Sequence, residues 1–444
     1  VITAAPSSPR SLVLCGGGIT GAMYEFGALH ALDHACGGQL LSTGFDIYVG
    51  TSGGAVVAAL MANGVTPAEV GRAILGNRPE PLNFRQDDIV QIDWKEIRQS
   101  LGRALRMVPA VWRQRKRNPG SFSIARLIYV FEENLPSGIY SLDRYRAYLK
   151  KLLSDQGRCD SFAALPHELY IPAVHLDTGD RVLFGAPEWR DVPISDAIAA
   201  SSALPLYFRP VTLKGMDFVD GGVGQVVHLD KPLERGSRFI VLINPVLPIR
   251  NEEGVVCIPT FTGLCARLRE KGVTFVVDQA QRIGARERFR LGLEHVRARA
   301  PEAVVTVIEP DPRDSVLFME NILNYGSRVA MLHYGYRSTA AQIRSRQAEL
   351  SAAFASAGLT LSVDGLREED PWDVAGEAAR ASSGPASAPV AAAALASVAA
   401  ATAAAASATP ESVTGADAPA SSAPPADDEA AAAAPGVAAG SAKT

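Results

Sequence analysis

Phe45–Ala62 reads FDIYVGTSGGAVVAALMA, and its two halves follow different patterns. Phe45–Val49 is a short strand candidate. Gly53–Ala62 reads as a helix, and Asn63-Gly64 is its stop signal. Between them, Gly50-Thr51-Ser52-Gly53-Gly54 fits G-x-S-x-G. A strand, a sharp turn and a helix in that order form the setting of a nucleophile elbow. The turn leaves little room for side chains beside the serine, so Gly50, Gly53 and Gly54 surround it. Its hydroxyl then projects above the sheet, next to the positive end of a helix. The competing reading is a serine that caps the helix starting near Gly53.

The same alternation extends outward. Ser11–Cys15 is a short apolar run ending in glycines, and Ile19–Ala35 places Ile19, Met23, Phe26, Leu29 and Leu32 at helical spacing. Leu169–Val174 and Arg181–Phe184 flank an Asp177–Asp180 turn and predict paired strands. Pro193–Ala203 predicts a helix, Met216–Val219 a short strand, and Phe239–Ile243 and Val304–Ile308 buried strands. Long helical patterns cover Val273–Arg299 and Tyr325–Leu350. Strands alternating with helices predict an α/β fold with a mostly parallel sheet covered on both faces.

Two further stretches carry polar chemistry. Gly16-Gly17-Gly18-Ile19-Thr20-Gly21 follows the first strand and opens the first helix, so its amides are placed to meet an anion. Gly16, Gly18 and Gly21 also fit the dinucleotide pattern G-x-G-x-x-G, but the acid such a fold wants at a second strand's end has only Asp46 to fill it, at the start of the strand candidate. The other reading is an oxyanion hole for acyl transfer. Asp220-Gly221-Gly222 follows the Met216–Val219 strand. An Asp beside a Ser hydroxyl can serve as a general base without histidine, while an Asp before glycines can also simply open a turn. His175 and His228 are the histidines to consider for a Ser-His-Asp triad. The five cysteines contain no C-x-x-C pair, which predicts reduced, mostly buried thiols and no zinc site. Cys257 and Cys265 can pair only if the fold brings them together. No metal-binding signature appears.

Composition sets limits. Of 444 residues, 47% are apolar, enough for a sizeable core. Residues 1–374 hold 41 acids and 41 bases, a neutrality that argues against a nucleic-acid binder. Residues 375–444 contain 32 alanines and seven prolines with no aromatic residue, which predicts a disordered appendage. No apolar run is long enough to span a membrane, and Val1–Arg10 shows no secretory pattern. The expected location is therefore cytoplasmic, with peripheral membrane contact open. That contact is suggested by the basic stretch between Glu96 and Glu132, which has eight bases and no acid. Leu101, Leu105, Met107, Val108, Val111 and Trp112 interleave with those bases. Such a segment suits an anionic membrane surface, contacted through Arg113, Arg115, Lys116 and Arg117. The alternative is a solvated cap helix packed on the body.

Taken together, the Gly16–Gly21 loop, the Gly50–Gly54 elbow and Asp220-Gly221-Gly222 resemble the patatin-like phospholipase family. The approach VPISDAIAASSALPLYFRP at Val192–Pro210 is similar to that family's lead into its aspartate. The resemblance implies a three-layer α/β/α patatin-like fold over about residues 11–350. In that division, 1–10 is an N-terminal extension, 96–132 a cap or insertion and 351–374 a connecting segment. It implies hydrolysis of phospholipid or other lipid acyl esters without cofactor or metal. Ser52 becomes the nucleophile, Asp220 the base, and Gly16, Gly17 and Gly18 the oxyanion loop. Gly21, Gly50, Gly53, Gly54, Gly221 and Gly222 become supporting positions. A soluble esterase or thioesterase on the same dyad, and a silent lipid-binding protein, are the alternatives. The family's loop usually carries Arg or Lys where this chain has Thr20.

Overall fold

The computed structural model describes residues 8–38, 41–77, 81–117, 134–155, 157–225, 227–250, 258, 264–314, 316–320, 322–367 and 371–372. The expected disordered tail at 375–444, Cys257 and the later part of the basic segment lie outside these residues.

In chain order, β1 (Arg10–Leu14) runs into α1 (Gly18–Ala35), and β2 (Ile47–Gly50) runs into α2 (Gly53–Ala62). Next come α3 (Pro67–Leu75), the short α4 (Gln86–Ile89), β3 (Gln91–Ile92), α5 (Trp94–Arg117), β4 (Tyr140–Ser141) and α6 (Asp143–Leu153). A hairpin of β5 (Glu168–His175) and β6 (Arg181–Phe184) precedes α7 (Ile194–Ser201), β7 (Val211–Leu213) and β8 (Met216–Asp220). The described chain continues through α8 (Asp230–Glu234), β9 (Phe239–Ile243), α9 (Val273–Arg299), β10 (Val304–Ile308), α10 (Val316–Met319), α11 (Arg328–Ser345) and α12 (Gln347–Ser356).

The main sheet has the order β10-β9-β1-β2-β5-β8-β7, with β6 also pairing β5. Pairings from β10 to β5 are parallel, and those that join β6, β8 and β7 are antiparallel. Side-chain alternation along β1 explains the layers. Leu12 and Leu14 enter the core shared with α1, α2 and α11, while Val13 and Cys15 face the opposite core with Ala285, Phe289 and Val296 of α9. The sheet therefore lies between two helical layers, as an α/β patatin-like fold requires. Parallel strands β1 and β2 both end at Ser52's edge of the sheet, because Leu14 pairs with Gly50. Crevices at the carboxyl ends of such strands are where α/β folds bind ligands.

The structure differs from the sequence expectation in three places. The Tyr325–Leu350 pattern is not one helix. It breaks at Arg346, whose guanidinium donates to the Val307 carbonyl of β10 at 2.9 Å and pairs with Glu349 at 2.6 Å. Cys265 is disulfide-bonded rather than reduced, while Cys15, Cys36 and Cys159 are free. The segment after α12 also returns to the core. Trp372 is buried and stacks on His30 at 4.0 Å, and the Pro371 carbonyl lies 2.7 Å from His30 Nε2. No described helix is long and apolar enough to cross a membrane.

Candidate active site

Ser52 stands at the turn between β2 and α2 with φ 54° and ψ −126°. That conformation favours glycine, and holding a serine in it costs on the order of 1–3 kcal/mol. The surroundings impose it. The Ser52 amide donates to Ser201 Oγ of α7 at 2.9 Å, and the Thr51 amide donates to the Leu14 carbonyl at 3.0 Å. The Ser52 side chain makes no helix-capping hydrogen bond, so the capping reading fails and the hydroxyl is left for other work.

Asp220 is the last residue of β8 and is buried. Its amide donates to the Ala203 carbonyl at 3.0 Å, and its Oδ1 accepts the Gly222 amide at 2.8 Å. Burial pushes its carboxyl up to about 6, and hydrogen bonds from the Ser52 hydroxyl and the Gly222 amide limit that rise. Ser52 and Asp220 therefore meet side chain to side chain, although 168 positions separate them in the chain. Gly221 allows this approach, since a Cβ there would lie 2.4 Å from the Pro172 carbonyl oxygen of β5.

The glycine loop packs directly on the elbow. Gly16 has φ 79°, and a Cβ on it would lie 2.3 Å from the Thr51 carbonyl oxygen. A Cβ on Gly53 would lie 2.3 Å from the Gly18 carbonyl oxygen. Both positions thus exclude any side chain. Gly21, Gly50 and Gly54 also lie against the backbone of these two turns. Gly17 and Gly18 have left-handed backbones too, and their amides have no acceptor among the described residues. Both sit at the positive end of α1, an 18-residue helix. Thr20 is buried, and its hydroxyl donates to the Gly17 carbonyl at 3.4 Å. Thr20 thus ties the loop internally.

Gly16 is a different case. Its amide donates to Glu25 Oε1 at 2.8 Å, which removes it from the set of open donors. Glu25 is fully buried on α1, and burial raises its carboxyl well above the usual range while the amides of Gly16 and Cys15 pull it back. Sequence reading missed this residue, and an acid on the apolar Ile19–Ala35 pattern, which also holds Asp33, was the available signal. Glu25→Ala is expected to lower stability by about 1–3 kcal/mol, because the Gly16 amide loses its buried acceptor. Denaturant unfolding checks this, and Glu25→Gln, which keeps an acceptor oxygen, is expected to lose less.

Neither histidine joins the pair. His228 is buried, and Arg181 Nη1 lies 3.2 Å from its Nδ1 while the same guanidinium binds Asp230. Burial lowers His228 to about 3, so it is neutral. His175 Nδ1 faces the Thr178 hydroxyl at 2.8 Å. The dinucleotide reading also fails on position. Asp46 accepts the Arg10 amide at 2.8 Å, at the start of β2 rather than its carboxyl end. Among the described residues, no group of three His, Cys, Asp or Glu could hold a metal ion.

A family model described as Patatin-like phospholipase matches residues 12–230. No curated protein matches the chain. Among solved structures, VipD from Legionella pneumophila is 14% identical over 77% of this chain and 68% of that one, with a TM-score of 0.32. A structure of full-length SpcU in complex with full-length ExoU, from the type III secretion system of Pseudomonas aeruginosa, matches at 20% identity. That match covers 83% of this chain and 70% of the other, with a TM-score of 0.26.

Proposed function

We propose, from the premise that this chain carries a patatin-like phospholipase domain over residues 12–230, that it hydrolyses lipid acyl esters through Ser52 and Asp220. The observation that carries this reading is the contact between a strained, uncapped serine and a buried carboxylate of raised pKa. A serine hydroxyl is a weak nucleophile until a base removes its proton. In the first step, Ser52 Oγ bonds to the ester carbonyl carbon and its proton passes to Asp220. The carbonyl oxygen becomes an oxyanion, which the amides of Gly17 and Gly18 receive. Each such donor contributes on the order of 3 kcal/mol to the barrier reduction. The C–O bond to the alcohol then breaks, and Asp220 returns the proton to the leaving oxygen. Water attacks the acyl-Ser52 ester, Asp220 takes the water proton, and Ser52 recovers it as the fatty acid leaves. One ester and one water thus become one acid and one alcohol.

Asp220 can accept a proton only while ionised. Its carboxyl is raised to about 6, nearer the working pH than an ordinary aspartate and so a better base. The value of kcat/KM on a dissolved short-chain ester is expected to rise through about pH 6 and level off above it. A profile that stays flat from about pH 5 to 8 contradicts Asp220 as the base. The substrate class is tested by release of free fatty acid from dispersed phospholipid. Release is expected from the wild type, and hydrolysis of short dissolved esters with no release from phospholipid points to a soluble esterase instead.

A further inference from the structure

α5 exposes apolar side chains where an ordinary surface helix shows polar ones. Trp94, Leu101, Leu105 and Trp112 are 67%, 59%, 62% and 58% exposed. Their spacing of seven, four and seven residues puts all four on one line of the helix. Ser100, on another face of the helix, is buried. From Trp94 to Arg117 it carries eight bases and one acid, and that acid, Glu96, is paired with Arg103 at 3.2 Å. Arg113 and Lys116 are exposed, and the Lys116 ammonium sits 3.8 Å above the Trp112 ring. Large exposed apolar patches mark interaction sites.

The helix is also bolted to the candidate active site. Asp93 caps it, with Oδ1 accepting the Glu96 amide at 2.9 Å and Oδ2 held 3.2 Å from Arg209 Nε. The Asp93 amide donates to the Ile139 carbonyl at 3.0 Å, and the Ile139 amide donates to the Tyr207 carbonyl at 3.0 Å. Tyr207 belongs to the short loop that begins at Ala203, whose carbonyl holds the Asp220 amide. Leu206 in that loop and Ile139 are exposed as well.

We propose that α5 docks this chain on an anionic lipid bilayer. The line from Trp94 to Trp112 seats at the acyl boundary, and the surrounding bases meet the lipid phosphates. Tryptophan beside Lys and Arg suits that boundary because one part is apolar and the other wet. The positive charge selects an anionic surface. A protein partner able to cover so basic a stripe would need an acidic face with a matching apolar surface, whereas a bilayer supplies both features without shape matching. This inference takes from the acyl-hydrolase reading only that the substrate ester lies in a lipid surface.

The test is co-sedimentation of the full chain with phosphatidylcholine vesicles, with and without phosphatidylglycerol. Binding is expected to rise about tenfold or more with the anionic lipid and to fall with added salt. Leu101→Ser combined with Leu105→Ser is expected to lower it about tenfold. Arg113→Glu combined with Lys116→Glu is expected to abolish the anionic preference. A dissolved fluorophosphonate that labels Ser52 in each variant shows that the variant is folded. Absence of binding to anionic vesicles, or equal binding by the serine variant, overturns the proposal. So does a wild-type dimer that the serine variant dissociates, since the stripe is then a self-interface. Vesicle binding by a wild type that takes no label upholds the docking and removes the hydrolase reading.

Discussion

Ser52→Ala is expected to cut ester turnover by about 10,000-fold or more, with the fold unchanged. The size follows from the role, since no acyl-enzyme forms without Oγ. The fold is spared because the Ser52 side chain caps no helix and the amide bond to Ser201 stays in place. Ser52→Gly sharpens the point. Glycine adopts φ 54° and ψ −126° without strain, so this variant is expected to be more stable by about 1 kcal/mol while equally inactive. A serine kept at a site where glycine folds better is placed there for chemistry. Thermal unfolding beside turnover reads both effects. Activity of either variant within tenfold of wild type contradicts the assignment.

Asp220→Asn is expected to lower kcat by about 1,000-fold or more, because the amide fills the same space and still accepts the Gly222 amide but takes no proton. The stability consequence has a definite sign. The Asp220 carboxyl is raised from 3.8 to about 6 by burial, so the folded state prefers its neutral form. Its stabilising contribution is fully present below about pH 4 and is lost as pH rises through about 6. A shift of this size corresponds to roughly 2–3 kcal/mol. Asp220→Asn removes that dependence, so at about pH 8 the variant is expected to be more stable than wild type while nearly inactive. Urea unfolding at about pH 4 and pH 8 checks it. Loss of stability at both pH values contradicts the account, because Asp220 would then be structural.

Much of this architecture is readable before any coordinates are seen. β9 is an unbroken apolar run because an interior parallel strand is buried on both faces. The elbow is legible because G-x-S-x-G falls where strand pattern gives way to helix pattern. Asp220 is legible as the end of a strand followed by glycines, but its contact with Ser52 is not. That contact depends on β5 lying between β2 and β8, and strand order is a tertiary property.

Other features leave a weaker trace. Glu25 holds Gly16 across nine positions, which takes one glycine amide out of the oxyanion loop that the resemblance implied. Ser201 looks like any small residue in AIAASSALP, yet it accepts the Ser52 amide. Arg346 lies where the helical pattern breaks, and its bond to the Val307 carbonyl has no trace in the sequence. The bases of α5 are obvious in the sequence, but the exposure of Trp94, Leu101, Leu105 and Trp112 appears only in the fold.

The most direct test of the central claim is fluorophosphonate labelling of the purified chain, with mass mapping of the modified peptide. The account predicts label on Ser52, none on Ser52→Ala, and labelling of Asp220→Asn slowed about 1,000-fold. A folded wild type that takes no label, or that takes it at another serine, contradicts an activated Ser52.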